Sequence, residues 1–223
     1  MRKFLFLSVI LFAFISLRAQ RGRDFYLWSK VAIDLKLSES NQIVFSERTD
    51  YRTSDSFREL TYIDLAGLHR LTKWYRIGLA FRVAQQPVAG RDIYEYRPQL
   101  INSFSWGEGL FRFRGTLRLE QRWFSIGKNH QRLYQKFFVD LPALTSKWIQ
   151  PAVGDELFYK LNETGLHQAR LYAGSRVYRD PLFTVSLYYV WQTSKVLSNW
   201  RQHDALSLQL RFRLNSKKVF EAD

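Results

Sequence analysis

The chain has 223 residues, with 34 Lys and Arg against 20 Asp and Glu for a formal charge of +14, 17% aromatics, 11 Gly, 5 Pro and no Cys. That length points to one domain, and without cysteine there is neither a disulfide framework nor a thiolate metal site. The basic residues alternate with apolar ones instead of clustering in runs, which argues for the charged face of a sheet and against nucleic acid as a partner.

Met1-Arg2-Lys3 is a basic start, and Phe4 to Leu17 is an apolar run of 14 residues. A membrane helix needs about 20. Ala19 supplies a small residue before a cleavage point, so residues 1–19 read as a signal peptide and Gln20 as the first mature residue. Loss of Arg2, Lys3 and Arg18 lowers the charge from +14 to +11. No cysteine follows the apolar run, which excludes a lipid-anchored form. No later segment is long and apolar enough to cross a membrane as a helix, so a membrane form has to be a closed barrel.

The first expected strand is Phe25 to Leu37, where Leu27, Val31, Ile33 and Leu35 alternate with Trp28, Lys30, Asp34 and Lys36. Gln42 to Tyr51 is a weaker second strand. Phe57 to His69 and Trp74 to Gln85 form a hairpin. In its second arm Tyr75, Ile77, Leu79, Phe81 and Val83 face one way, and Trp74, Arg76, Gly78, Ala80 and Arg82 the other. Asp92 to Trp106 sets Glu95, Arg97 and Gln99 opposite Tyr94, Tyr96 and Leu100. Pro98 inside it lacks a ladder donor, so a bulge or similar irregularity is expected there.

Gly107-Glu108-Gly109 is a tight turn into Leu110 to Phe124, the clearest strand of the chain. Its even positions carry Arg112, Arg114, Arg118, Glu120 and Arg122, and its odd positions Phe111, Phe113, Leu117 and Leu119. A period of two is that of a strand. Gln131 to Leu141, Trp148 to Tyr159, Gln168 to Tyr178, Leu182 to Gln192 and Asp204 to Leu214 complete the series, with Thr193 to Gln202 as the longest loop.

Long strands, apolar on one face and ionic on the other, suit a wall between lipid and a polar lumen. The expected fold is all-β, an antiparallel up-and-down β-barrel of the outer-membrane type with 10 to 12 strands over residues 20–215, followed by a polar tail at 216–223. About eleven strands can be counted, against the even parity of bacterial single-chain barrels. Short turns on one rim should alternate with longer loops on the other. Trp28, Trp74, Trp106, Trp123, Trp148 and Trp191 near strand ends suggest aromatic girdles.

The candidate site is an inward charge network of Glu95, Arg97, Arg112, Arg114, Arg118, Glu120, Arg122, Glu156, Arg170 and Arg176. It reads either as a salt-bridge network that plugs the barrel, or as a constriction that binds or passes small anions, since Arg forks match carboxylate and phosphate. Glu120 and Glu156 are a weak candidate pair for acid–base work, because Arg neighbours lower a carboxylate pKa. His130 and His167, with Ser125, Ser198 or Glu163, are the weak basis for a lipid- or lipopolysaccharide-modifying enzyme. A soluble periplasmic binding barrel is the third class. No phosphate loop, zinc motif or calcium loop is present, so no cofactor and no metal is expected. The expected partner is the lipid bilayer of the outer membrane.

Short motifs add a resemblance. They are Glu95-Tyr96-Arg97, Arg118-Leu119-Glu120-Gln121-Arg122, Asp155-Glu156-Leu157-Phe158, Gln168-Ala169-Arg170-Leu171-Tyr172-Ala173-Gly174, Tyr188-Tyr189 and His203. In order and spacing they resemble the domain of unknown function family 2490, secreted proteins common in Bacteroidetes-type bacteria. Ala169 departs from the pattern, where Asn is expected before Arg170. The resemblance spans nearly the whole mature chain and implies an outer-membrane-type β-barrel. It implies no reaction.

Overall fold

A computed structural model describes residues 24–88, 90–144, 149–161, 165–196 and 199–215. The expected signal peptide and polar tail, and with them Trp148, Glu163 and Ser198, lie outside the described residues. Eleven strands form one closed barrel: β1 (Asp24–Lys36), β2 (Asn41–Arg52), β3 (Phe57–Arg70), β4 (Tyr75–Val88), β5 (Arg91–Trp106), β6 (Arg112–Phe124), β7 (His130–Asp140), β8 (Gln150–Lys160), β9 (Gly165–Arg179), β10 (Phe183–Val196) and β11 (Asn199–Asn215). A single 3-10 turn, Pro142–Leu144, precedes β8.

Each strand pairs antiparallel with the next, and the odd count decides how the wall closes. In an up-and-down series of eleven, the first and last strands run the same way. β1 and β11 therefore close the barrel as a parallel pair, from Asp24 opposite His203 to Lys36 opposite Asn215. The up-and-down antiparallel barrel expected from the sequence is present, with this one parallel seam, and its eleven strands among the described residues fall within the expected 10 to 12.

The side-chain alternation sorts charge from grease, with charge inside. On β3, Tyr62, Asp64 and Ala66 are buried in the lumen, whereas Ile63 and Leu65 are exposed outside. On β5, Glu95, Arg97, Gln99 and Ile101 are buried while Tyr94, Tyr96, Leu100 and Trp106 are exposed. A water-soluble barrel has the opposite arrangement. Glu47 and Asp155 interrupt the apolar outer face; Glu47 accepts a 2.6 Å bond from the Thr49 hydroxyl. Outward aromatics gather at both rims. Trp106, Phe113 and Phe137 stack beside the β5–β6 turn, and Trp123 and Trp191 lie exposed toward the other rim. Trp28 is a correction, because it is buried in the lumen with the Arg48 guanidinium 4.0 Å over its ring.

Pro98 makes no bulge. The β5–β6 register is the same on either side of it, and the ladder merely lacks pairs at Arg97 and Pro98. This is what a missing N–H donor alone produces. The bulges fall instead at Asp50/Tyr51, Phe158/Tyr159 and Val185/Ser186. The connections span two to nine residues, and the longest, 141–149, lies on the rim expected to carry short turns. Most of the expected Thr193–Gln202 loop is strand, with Thr193 opposite Gln202 and Val196 opposite Asn199. Gly107 and Gly109 take φ values of 104° and 69° in the β5–β6 turn, a region that glycine enters without a Cβ penalty. In the turn after β9, the Asp180 carboxylate accepts bonds from the Phe183 and Leu182 amides and the Tyr178 hydroxyl, which hold its pKa below the usual carboxylate range.

Inside, one sector of the wall is packed with rings. Phe138, Tyr172 and Tyr188 meet edge-on or tilted at centroid separations of 5.3 to 6.2 Å. Gly154 and Gly174 make this possible, since a Cβ at either would collide with the Phe138 ring or the Leu187 carbonyl.

Candidate functional site

The lumen of the barrel is cross-linked by ion pairs between neighbouring strands. Because every second residue points inward, charged residues two apart on one strand face their counterparts on the next. Glu95 is the first node. It accepts two bonds from Arg97, at 2.7 and 2.8 Å, and two from Arg122, at 2.6 and 2.8 Å. Arg97 also reaches Glu120 at 3.5 Å, and Arg132 binds the same Glu120 at 2.6 Å. Glu120 is only 1% exposed. Glu95 and Arg97 thus meet Glu120 and Arg122 of β6, while Arg118 of the same ladder does not join them.

A second node is Glu156 on β8. It accepts bonds from Tyr134 (2.9 Å), Lys136 (2.9 Å), Tyr172 (2.9 Å) and Arg170 (3.1 Å). Arg170 spends its Nε on Gln192 at 2.6 Å. Glu120 and Glu156, whose Arg neighbours argue against acid–base work, sit apart in the ion-pair pattern. Each carboxylate sits in its own node, already saturated by cations.

Smaller pairs complete the lattice. Arg48 grips Asp50 with two bonds of 2.6 and 2.8 Å, and Arg82 holds Asp64 at 2.5 Å. Arg114 grips Asp140 at 2.7 and 2.9 Å. Arg176 donates to Gln150, not to a carboxylate. Arg112, also expected in the network, stands exposed at the start of β6 and forms no ion pair among the described residues. Arg118 donates only to Gln99, at 3.3 Å, and lies 5.0 Å from the Tyr134 ring.

The lattice includes residues outside the candidate set read from the sequence: Arg48, Asp50, Asp64, Arg82, Arg132, Lys136, Asp140, Tyr134 and Tyr172. The alternation of β7, His130-Arg132-Tyr134-Lys136-Phe138-Asp140, is a signal for four of them, Arg132, Tyr134, Lys136 and Asp140.

Deep inside, the space left is small and divided, and at the rim of the β1–β2 turn it gives way to a wider recess of about 650 Å³ lined by Asp34, Arg211 and Arg213. One cavity of about 270 Å³ is lined from opposite walls by Lys30, Tyr62 and Arg118 among others, and extends to His167 near the start of β9. A second, of about 140 Å³, lies toward the opposite rim beside Arg114, Arg176 and Arg213. Lys30 and Gln209 border both, at the partition between them.

Of the serine and carboxylate partners expected for His130 and His167, only Ser125 is among the described residues, and it bonds to neither. His130 Nε2 accepts a bond from Arg122 at 3.2 Å, and the Ser125 hydroxyl accepts one from the Tyr94 amide at 3.0 Å. His167 packs edge-on against Phe158. No histidine is bonded to a serine, and no group of three or more His, Cys, Asp or Glu could hold a metal, among the described residues.

Fold and interior together define a closed β-barrel with an ion-paired lumen. A family model described as Protein of unknown function (DUF2490) matches residues 25–203, and the chain belongs to that family. No curated protein matches the chain. The family match stops at His203, so most of β11, the strand that completes the closure, lies beyond it.

Proposed function

We propose that the chain is an outer-membrane β-barrel whose lumen is shut by its own ion pairs, so that it spans the bilayer without acting as an open pore. The observation that carries this reading is the inverted distribution of polarity. Glu120, Asp140, Glu156 and Arg132 are buried inside, while Ile63, Leu65, Leu79, Leu171 and Leu187 are exposed outside. A bilayer is the solvent that makes such a face favourable.

Strand length and aromatics support the same reading. The strands run from 11 to 17 residues, and a tilted strand needs about 9–11 to cross the hydrocarbon. Exposed Trp and Tyr at both rims match the two interfaces. A signal peptide at 1–19 would deliver the chain through the inner membrane.

The closed lumen is tested by planar-bilayer recording of the refolded protein, with insertion checked by heat-modifiable gel mobility of protein recovered from the same lipid. The expected result is inserted protein with no stepwise conductance. Steady ohmic steps, above all anion-selective ones that fade in Arg118→Gln, would replace this reading with that of an anion pore.

A further inference from the structure

The ion pairs inside the barrel do not balance. Nine cationic side chains line the larger cavity against three carboxylates. Asp50 and Asp64, which pair with Arg48 and Arg82, bring the carboxylates to five. Two of the cations, Lys30 on β1 and Arg118 on β6, have no carboxylate within ion-pair distance among the described residues. They project from opposite walls into the same space. Arg118 Nε is buried and has no hydrogen-bond partner. Tyr62, level with Lys30 across β2, adds a hydroxyl to the same lining.

An unpaired cation held away from bulk water is costly, and several confined together also repel. Salt-bridge lattices that serve only to fill a lumen can be built neutral, so the excess is a specific feature of this one. It is met most directly by a counter-ion. Guanidinium, ammonium and phenol converging on one small cavity are all donors, and their common ligand is an oxygen-rich anion.

We propose that the larger cavity is a binding site for a small multivalent oxyanion, held between Lys30 and Arg118 with Tyr62 as a further donor. The inference deepens the closed-lumen reading and rests on it, since an open channel would wash the ion out. Entry is from the rim near His167, toward which the cavity extends. The enclosure selects a free ion, because a phosphate tethered to a lipid cannot leave the bilayer to enter the lumen.

The test uses inorganic phosphate with the full-length protein refolded in detergent, in a chloride buffer of constant ionic strength. Calorimetric titration should show saturable binding, and the same phosphate should raise the unfolding temperature. Lys30→Gln and Arg118→Gln should each weaken binding about tenfold or more, the scale of one lost charge-assisted hydrogen bond. Arg112→Gln, outside the cavity, should leave it unchanged.

The phosphate-free unfolding temperature gives an independent readout. Lys30→Gln and Arg118→Gln should raise it, because each removes an uncompensated charge, whereas residues that merely brace the wall would lower it. Non-saturable binding, binding equally strong in both variants, or a lowered phosphate-free unfolding temperature would each overturn the proposal. None of these results bears on conductance, so the closed-lumen reading stands or falls separately in the bilayer recording.

Discussion

Glu120→Ala is expected to destabilise the folded barrel by about 3–5 kcal/mol, the usual cost of removing one partner from a buried pair. The side chain is 1% exposed and holds Arg132 at 2.6 Å and Arg97 at 3.5 Å. Arg97 keeps Glu95 after the change, but Arg132 has no second carboxylate. The loss is therefore carried by a stranded guanidinium. Urea unfolding in lipid vesicles, followed by heat-modifiable gel mobility, measures it. Adding Arg132→Met to the same background should recover part of the loss, because it removes the stranded charge. An unfolding midpoint equal to that of the parent would mean that these groups are solvated in a wide channel, and the lattice would not be what holds the lumen shut.

Leu65→Arg should be similarly damaging, for a reason on the other side of the wall. Leu65 is 54% exposed and sits on the outer face between Phe45 and Phe81. On a water-facing surface an arginine there would be neutral or helpful. On a lipid-facing one it costs about 2–4 kcal/mol near the bilayer midplane. The vesicle unfolding titration should therefore show a loss of that order for Leu65→Arg, with little change for Leu65→Phe. Equal stability of Leu65→Arg and the parent would mean that this face is wet.

The faces of the strands were readable because a period of two needs no tertiary information. Leu110 to Phe124 separates Arg114, Arg118, Glu120 and Arg122 from Phe113, Leu117 and Leu119 by alternation alone, and the structure keeps that division. In β7 the polar Gln131 and Gln135 on the outer face blur the alternation that would single out Arg132 and Lys136 as inward. The end of β10 and the start of β11 read as loop for a related cause. Thr193, Ser194, Lys195, Asn199, Arg201 and Gln202 have no apolar face, yet a backbone ladder needs none.

Other features lie beyond local sequence. Pairing partners depend on the register between strands, which a short window does not contain. That Arg132 meets Glu120, that Arg176 meets only Gln150, and that Lys30 and Arg118 are left over all depend on it. Trp28 looked like a girdle residue from its place near a strand end, but its even position put it inside, under Arg48. The parallel seam was implicit in a count of eleven, since an odd up-and-down series can close in no other way.

The most direct test of the central claim, a membrane-spanning barrel with its charge inside, is fractionation of the cell envelope after expression of the full chain. The account predicts that the protein stays with the outer membrane through osmotic shock and alkaline washing, and enters solution only with detergent. Quantitative release with the soluble periplasmic contents would contradict it.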